Sequence, residues 1–185
     1  QDKLARLTRN AVAEVEGNTD YWYQRCSRQQ GALGFGRGVP VLPAMFSPKP
    51  RVAVGIDTSG SMGTRELEKA LIETQGVLRA VGSEVQFVAC DAAVRENQRV
   101  RSVKDVLPLL KGGGGTSFIP VFEALNAEKQ KPNVFIFITD GGGRAPSVAP
   151  KGYKTIWVLC GAHRQRPFGE DYSRITWGDF IEIDD

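Results

Sequence analysis

Uninterrupted apolar runs and periodic apolar stripes alternate along the chain from residue 51 onward. "RVAVGI" at 51–56 and "NVFIFITD" at 133–140 are the most continuous runs, and "KTIWVLC" at 154–160 is a third. Strands that are apolar at every position suit the centre of a sheet covered on both faces. Between them, Leu67, Ala70, Leu71, Thr74, Leu78 and Val81 recur at three- and four-residue spacing over 64–81, with Glu66, Glu68, Lys69 and Arg79 on the opposite side. That period predicts a helix with one buried stripe, and Gly82 supplies its stop. "EVQFVAC" at 84–90 and the polar "VRENQRV" at 94–100 predict two further strands. The gap between them is too short for a helical crossover, so they form an antiparallel pair at a sheet edge. "GGGGT" at 112–116 leads into "SFIPVFEALNAEK", where Pro120 near the first turn and the shared face of Phe118, Phe122 and Leu125 predict a second helix. A last short strand is expected at 180–183.

The alternation of strand and helix predicts an α/β fold in three layers, a mostly parallel central sheet flanked by helices with one antiparallel edge strand. Ahead of it, Leu4, Leu7, Val12, Val15 and Trp22 predict an amphipathic helix within residues 3–25. The Gly- and Pro-rich stretch 31–50 is expected to hold no regular element. The chain therefore divides into a lead-in at 1–50 and a domain at 51–185.

Composition narrows the class. The 185 residues are 41% hydrophobic and 24% charged, as in one globular domain with a sizeable core. No apolar run approaches the roughly 18 residues of a membrane span, and no secretion signal opens the chain, so a cytoplasmic protein is expected. Cys26, Cys90 and Cys160 are widely spaced, and two of them end apolar runs, which favours reduced, buried thiols over a disulfide framework. The net charge is +3, with seven Lys/Arg against four Asp/Glu in residues 1–50 and seventeen of each in 51–185. An excess that small, confined to the lead-in, makes nucleic acid an unlikely partner.

Candidate chemistry gathers where apolar runs end. "DTSGS" follows the first strand of the domain, "TDGGG" closes the strand at 133–140, and Thr116 ends the run of four glycines. Ligands of such sheets bind outside the carboxyl ends of the strands. If the three loops meet, Asp57, Ser59, Ser61, Thr116 and Asp140 offer only oxygen, which suits a hard cation such as Mg2+ and not zinc. Taken alone, "DTSGS" reads equally well as an Asx turn with a helix cap.

These segments resemble the metal-ion-dependent adhesion site (MIDAS) of the von Willebrand factor type A (VWA) family, whose Asp-x-Ser-x-Ser, Thr and Asp elements appear in order as Asp57, Ser59 and Ser61, then Thr116, then Asp140. "VAVGIDTSGSM", "KGGGGTSFIPVFEA" and "FITDGGGRAP" are similar to the bacterial VWA-like domain that follows a metallopeptidase-like region, although no His-Glu-x-x-His occurs in this chain. The resemblance implies a Rossmann-like VWA fold and a bound Mg2+, with Mn2+ or Ca2+ as substitutes. It implies that Ser59 and Ser61 bind the ion directly, Thr116 directly or through water, and Asp57 and Asp140 mostly through water. The open position would take an Asp or Glu of a partner protein, and the resemblance names MoxR-type AAA ATPases as one partner class. Gly114, Gly115, Gly142 and Arg144 are expected at that contact. Domains of this type also carry helices after the later strands, for which residues 161–185 look too short and polar.

Two other functions compete. A strand-end Asp beside Mg2+ suits phosphoester hydrolysis, but Thr58-Ser59 stands where an aspartyl phosphatase has its second Asp. RNA binding would draw on Arg9, Arg25, Arg28 and Arg37, without the RNA-binding repeats that accompany some VWA proteins. No catalytic residue is assigned, and an enzyme is not expected. His163 reads as solvated, and Asp91 as a loop carboxylate within reach of the metal loops.

Overall fold

A computed structural model describes residues 4, 6, 10, 13, 20–36, 38–46, 50–81, 84–90, 94–106, 117–161 and 164–183. Gly82, Asp91, the glycines at 112–115, Thr116 and His163 lie outside the described residues. The domain is built on a six-stranded sheet of β3 (Val52–Asp57), β4 (Val85–Cys90), β5 (Val94–Val100), β6 (Val134–Thr139), β7 (Lys154–Leu159) and β8 (Asp179–Glu182), in the spatial order β5-β4-β3-β6-β7-β8. Every pairing is parallel except β4 with β5, the polar edge hairpin that the sequence predicts. Among the described residues no helix is long and apolar enough to cross a membrane.

The helices complete three layers. Val52, Val54 and Ile56 of β3 point to one face, where they join Ala70, Val77 and Leu78 of α2 (Thr64–Val81) and Val106 of α3 (Val103–Val106). Ala53 faces the other way, into a cluster with Phe118 and with Val121, Phe122 and Leu125 of α4 (Ile119–Ala127). Both β3 and β6 are buried at every position, because each face of the sheet is covered by a helix. The α4 face is aromatic: Phe118 meets Phe137 edge-on at 4.9 Å between ring centroids, and Trp157 packs at 5.6 Å from both Phe122 and Phe137. Offset and edge contacts of this kind add to simple area burial.

The lead-in departs from expectation in two places. Residues 20–25 are not helical: β1 (Asp20–Cys26) pairs antiparallel with β2 (Pro43–Phe46), with Tyr21 opposite Met45 and Trp22 opposite Ala44. Aromatic-rich "DYWYQRC" favours a pleated ribbon, and Gly17-Asn18-Thr19 separates it from the helical pattern before it. Positions 4, 6, 10 and 13 are helical, and Leu4 is buried in the α2 side of the core.

Regular structure also persists within 31–50, in α1 (Gln30–Leu33) and β2. The cause is the Gln30 side chain, 1% exposed, which donates to the carbonyls of Gly34 (2.8 Å) and Pro40 (3.4 Å) and accepts from the Leu42 N–H (2.7 Å). One buried amide thus satisfies the backbone of a segment that Gly and Pro leave without a ladder of its own.

Close packing of the sheet against the aromatic layer depends on Gly55. A Cβ there would lie 2.9 Å from the Phe135 ring and nearer still to Phe137. Gly55→Ala is therefore expected to lower unfolding free energy by about 2 kcal/mol, the range for overpacking a filled core. Urea denaturation of the two proteins checks this, and a change within about 0.5 kcal/mol, the usual size at an uncrowded position, would contradict it.

Candidate functional site

The strand order reverses between β3 and β6. From β3 the chain crosses to β4 on one side, and after β5 it returns through α4 to β6 on the other. The carboxyl ends of these neighbours therefore leave a crevice, the usual ligand position in an open α/β sheet. β3 ends on Asp57 and β6 on Thr139, and the β3–β6 register, with Ile56 opposite Ile138, sets these two residues side by side.

Asp57 is fully buried. Its Oδ1 accepts the Ser59 N–H at 2.9 Å, and its Oδ2 accepts the Thr139 hydroxyl at 2.6 Å. Ser59 Oγ lies 3.1 Å from Ser61 Oγ, with Ser59 buried and Ser61 exposed, so the pair runs from the buried carboxylate to the surface. Thr58 points elsewhere: its N–H and hydroxyl both donate to the Cys90 carbonyl, at 2.8 and 3.0 Å, and moor the loop to the end of β4. The cap reading of "DTSGS" fits only the Asx turn, since α2 begins later, at Thr64.

Thr139, which the sequence reading overlooked, joins the two loops. Its Oγ1 donates to Asp57 and accepts the Gly141 N–H at 2.9 Å. A threonine ending an otherwise apolar run, directly before the candidate Asp140, was the available signal. Asp140 Oδ1 accepts the exposed Gly142 N–H at 2.8 Å. Gly141 has φ of +79°, and a Cβ there would overlap the Gln165 carbonyl, so the chain can turn at this point only with glycine. Gln165 N–H in turn donates to the Asp140 carbonyl at 2.8 Å. Arg144 is exposed and bridges in parallel to Ser117, the residue after Thr116. Asp57, Ser59, Ser61, Asp140, Gly142 and Arg144 thus occupy one end of the sheet, whereas Thr116, Gly114 and Gly115 lie outside the described residues.

Two carboxylates and several hydroxyls meet here, and among the described residues no cationic side chain enters their hydrogen-bond network. Among the described residues no group of three or more His, Cys, Asp and Glu side chains is placed to hold a metal ion. Any ion at this crevice would be held largely by hydroxyl oxygen and water. Burial raises the Asp57 pKa above its ordinary 3.8, and the charge of Asp140 adds to the rise, against the opposing bonds from Thr139 and Ser59. Cys160, at the end of β7, is pushed up to about 12 by burial first and then by Asp140, Glu66 and Asp57, which leaves it a protonated thiol.

A raised carboxyl pKa has a definite sign in folding. The Asp57 contribution is complete below the unfolded value and is lost as pH rises through the folded value. In chelator, Asp57→Asn, which mimics the protonated acid, should gain stability relative to wild type as pH rises from about 4 toward neutrality. Chemical denaturation at several pH values checks this, and a difference that does not vary with pH would contradict it.

Comparison with known proteins places this geometry. The profile of the VWA-like domain (DUF2201) matches residues 52–173, from the start of β3 to the loop before β8. An uncharacterized protein of Thermotoga maritima is 30% identical over 116 residues, which make up 63% of this chain and 28% of the relative. The chain therefore matches under a third of that relative's length. In general terms a VWA-like domain is a protein-interaction module. The matched region contains the whole β3–β6 crevice, and the chain belongs to the VWA-like domain (DUF2201) family.

Proposed function

We propose that the crevice at the ends of β3 and β6 is a Mg2+-dependent docking site for a partner protein, and that the protein is an adaptor rather than an enzyme. The observation that carries this reading is the pair of converging hydroxyls beside a buried carboxylate. Adjacent corners of an octahedron with metal–oxygen distances of about 2.1 Å are about 3.0 Å apart. Ser59 Oγ and Ser61 Oγ lie 3.1 Å apart, with the buried Asp57 behind them.

Ser59 and Ser61 would hold the ion, Asp57 and Asp140 would orient hydroxyls or bound water, and Thr116 would complete the set. Mg2+ in that place supplies positive charge and an open coordination position. Neutral hydroxyls bind it without cancelling its charge, so an outside Asp or Glu is the fitting last ligand. Mn2+ and Ca2+ would substitute, and a cytoplasmic MoxR-type AAA ATPase is one partner class consistent with the resemblance. The phosphoester-hydrolase alternative is less well supported, because the Asp57 carboxylate it would use as nucleophile is fully buried with both oxygens accepting hydrogen bonds. The RNA alternative draws on N-terminal arginines, of which Arg25 lies on β1 and Arg28 just after it, while Arg9 and Arg37 lie outside the described residues.

Saturating Mg2+ should stabilise the wild-type protein, by about 2.7 kcal/mol at a hundred times Kd. Asp57→Ala and Ser59→Ala should abolish that gain, along with Mg2+-dependent capture of partner from cell extract. Thermal unfolding and a pull-down in Mg2+ against chelator check both. If the folded variants keep the metal response and the capture, the site lies elsewhere.

A further inference from the structure

Three arginines surround the Asp140–Arg144 loop, each held against an aromatic ring. Arg144 lies 4.4 Å from the Tyr172 ring centroid and donates to its hydroxyl. Arg166 lies 4.4 Å from the Phe180 ring, and Arg174 lies 3.8 Å from that of Phe168. All three are exposed, and among the described residues none forms an ion pair with a carboxylate. The neighbouring Arg164 does, with Glu182 at 3.6 Å.

The backbone ties these groups to the crevice. The Arg144 carbonyl accepts the Phe118 N–H at 2.7 Å, and Arg144 bridges to Ser117 on one side and Phe168 on the other. The Arg174 guanidinium donates to the Arg166 carbonyl and to Gln165 Oε1, and Gln165 N–H donates to Asp140. Tyr172 has φ of +61° and is the only described non-glycine residue at positive φ, a conformation unfavourable for any side chain with a Cβ. That turn keeps the ring over Arg144. Arg144 lies four peptide steps from Asp140, a reach of at most about 14 Å.

Resting on the docking reading above, we infer that the partner segment is an acidic peptide, with one carboxylate for the metal and further carboxylates for Arg144 and Arg166. A guanidinium held against a ring has little rotamer freedom left to lose on binding a carboxylate, and Arg174, which already donates to Arg166 and Gln165, braces the rim. In an extended peptide a second acid up to about four residues from the first reaches as far as the Asp140–Arg144 loop can extend. Nucleic acid fits less well. The rings of Tyr172, Phe168 and Phe180 already lie against guanidiniums, so those faces are not free to stack on bases, and the domain as a whole carries balanced charge.

The test uses fluorescence anisotropy with two labelled Gly/Ser peptides, one with a single Glu and one with three Glu at every third position, and an oligouridine probe. In Mg2+ the three-Glu peptide should bind about tenfold tighter than the single-Glu peptide, as expected for two further exposed charge pairs. Arg144→Ala with Arg166→Ala should reduce that ratio to about twofold or less, and Arg166→Ala alone should lower it while leaving single-Glu binding and the Mg2+ response unchanged. Arg144→Gln and Arg166→Gln, each removing part of the ratio, serve if the double variant unfolds. An unchanged ratio in folded arginine variants overturns the inference while the metal reading stands. A ratio that survives chelator and Asp57→Ala, yet falls with the arginines, supports the rim and removes the metal. Binding of oligouridine but neither peptide, or of no probe, overturns the acidic-peptide assignment.

Discussion

A carboxylate at the floor of the sheet's crevice has to be held without exposure to water, and the surrounding loops are arranged around that requirement. Asp57 ends β3 fully buried, and its oxygens take one N–H from its own loop and one hydroxyl from β6. Thr139 donates to Asp57 and accepts from Gly141, which couples the two strand ends through a single oxygen. The loop after β6 can turn only because Gly141 adopts a positive φ and lets Gln165 close over it. Burial keeps the carboxyl pKa raised, and so keeps an energetic preference for any positive charge that reaches the crevice.

That preference links packing to the proposed function. The apolar strands, close-packed by Gly55 against Phe135 and Phe137, set β3 and β6 in parallel register. The register sets Asp57 beside Thr139, and the reversal of strand order leaves space above them. Around this centre the outer loops carry arginines against rings, while Asp57 and Asp140 stay near the crevice. On the proposed docking reading, the crevice would favour a cation and the rim anions, an arrangement suited to binding acidic groups through an intervening ion.

Elements defined by local pattern were legible in the sequence. The stripe over 64–81 and the apolar runs at 51–56, 133–140 and 154–160 became α2, β3, β6 and β7 with boundaries shifted by a residue or so. The polar edge pair β4–β5 followed from its short connection alone. What was not legible depends on partners distant in sequence. β1 looked helical because the apolar spacing before it continued into Trp22, and only pairing with β2 makes it a strand. Order within 31–50 rests on one buried glutamine.

The same division runs through the site. Asp57, Ser59, Ser61 and Asp140 were picked out by motif, and the fold brings them to one end of the sheet. Thr139 and the Arg144–Tyr172 contact were not, since each joins segments that only tertiary structure makes neighbours. The most direct test of the account is Mn2+ titration of isotope-labelled protein, read as paramagnetic broadening of backbone amide signals. Broadening that begins at residues 57–61 and 140–142, and is lost in Asp57→Ala, is the predicted result. Broadening that begins elsewhere, such as at exposed Glu170 and Asp171, or that persists unchanged in the variant, would contradict it.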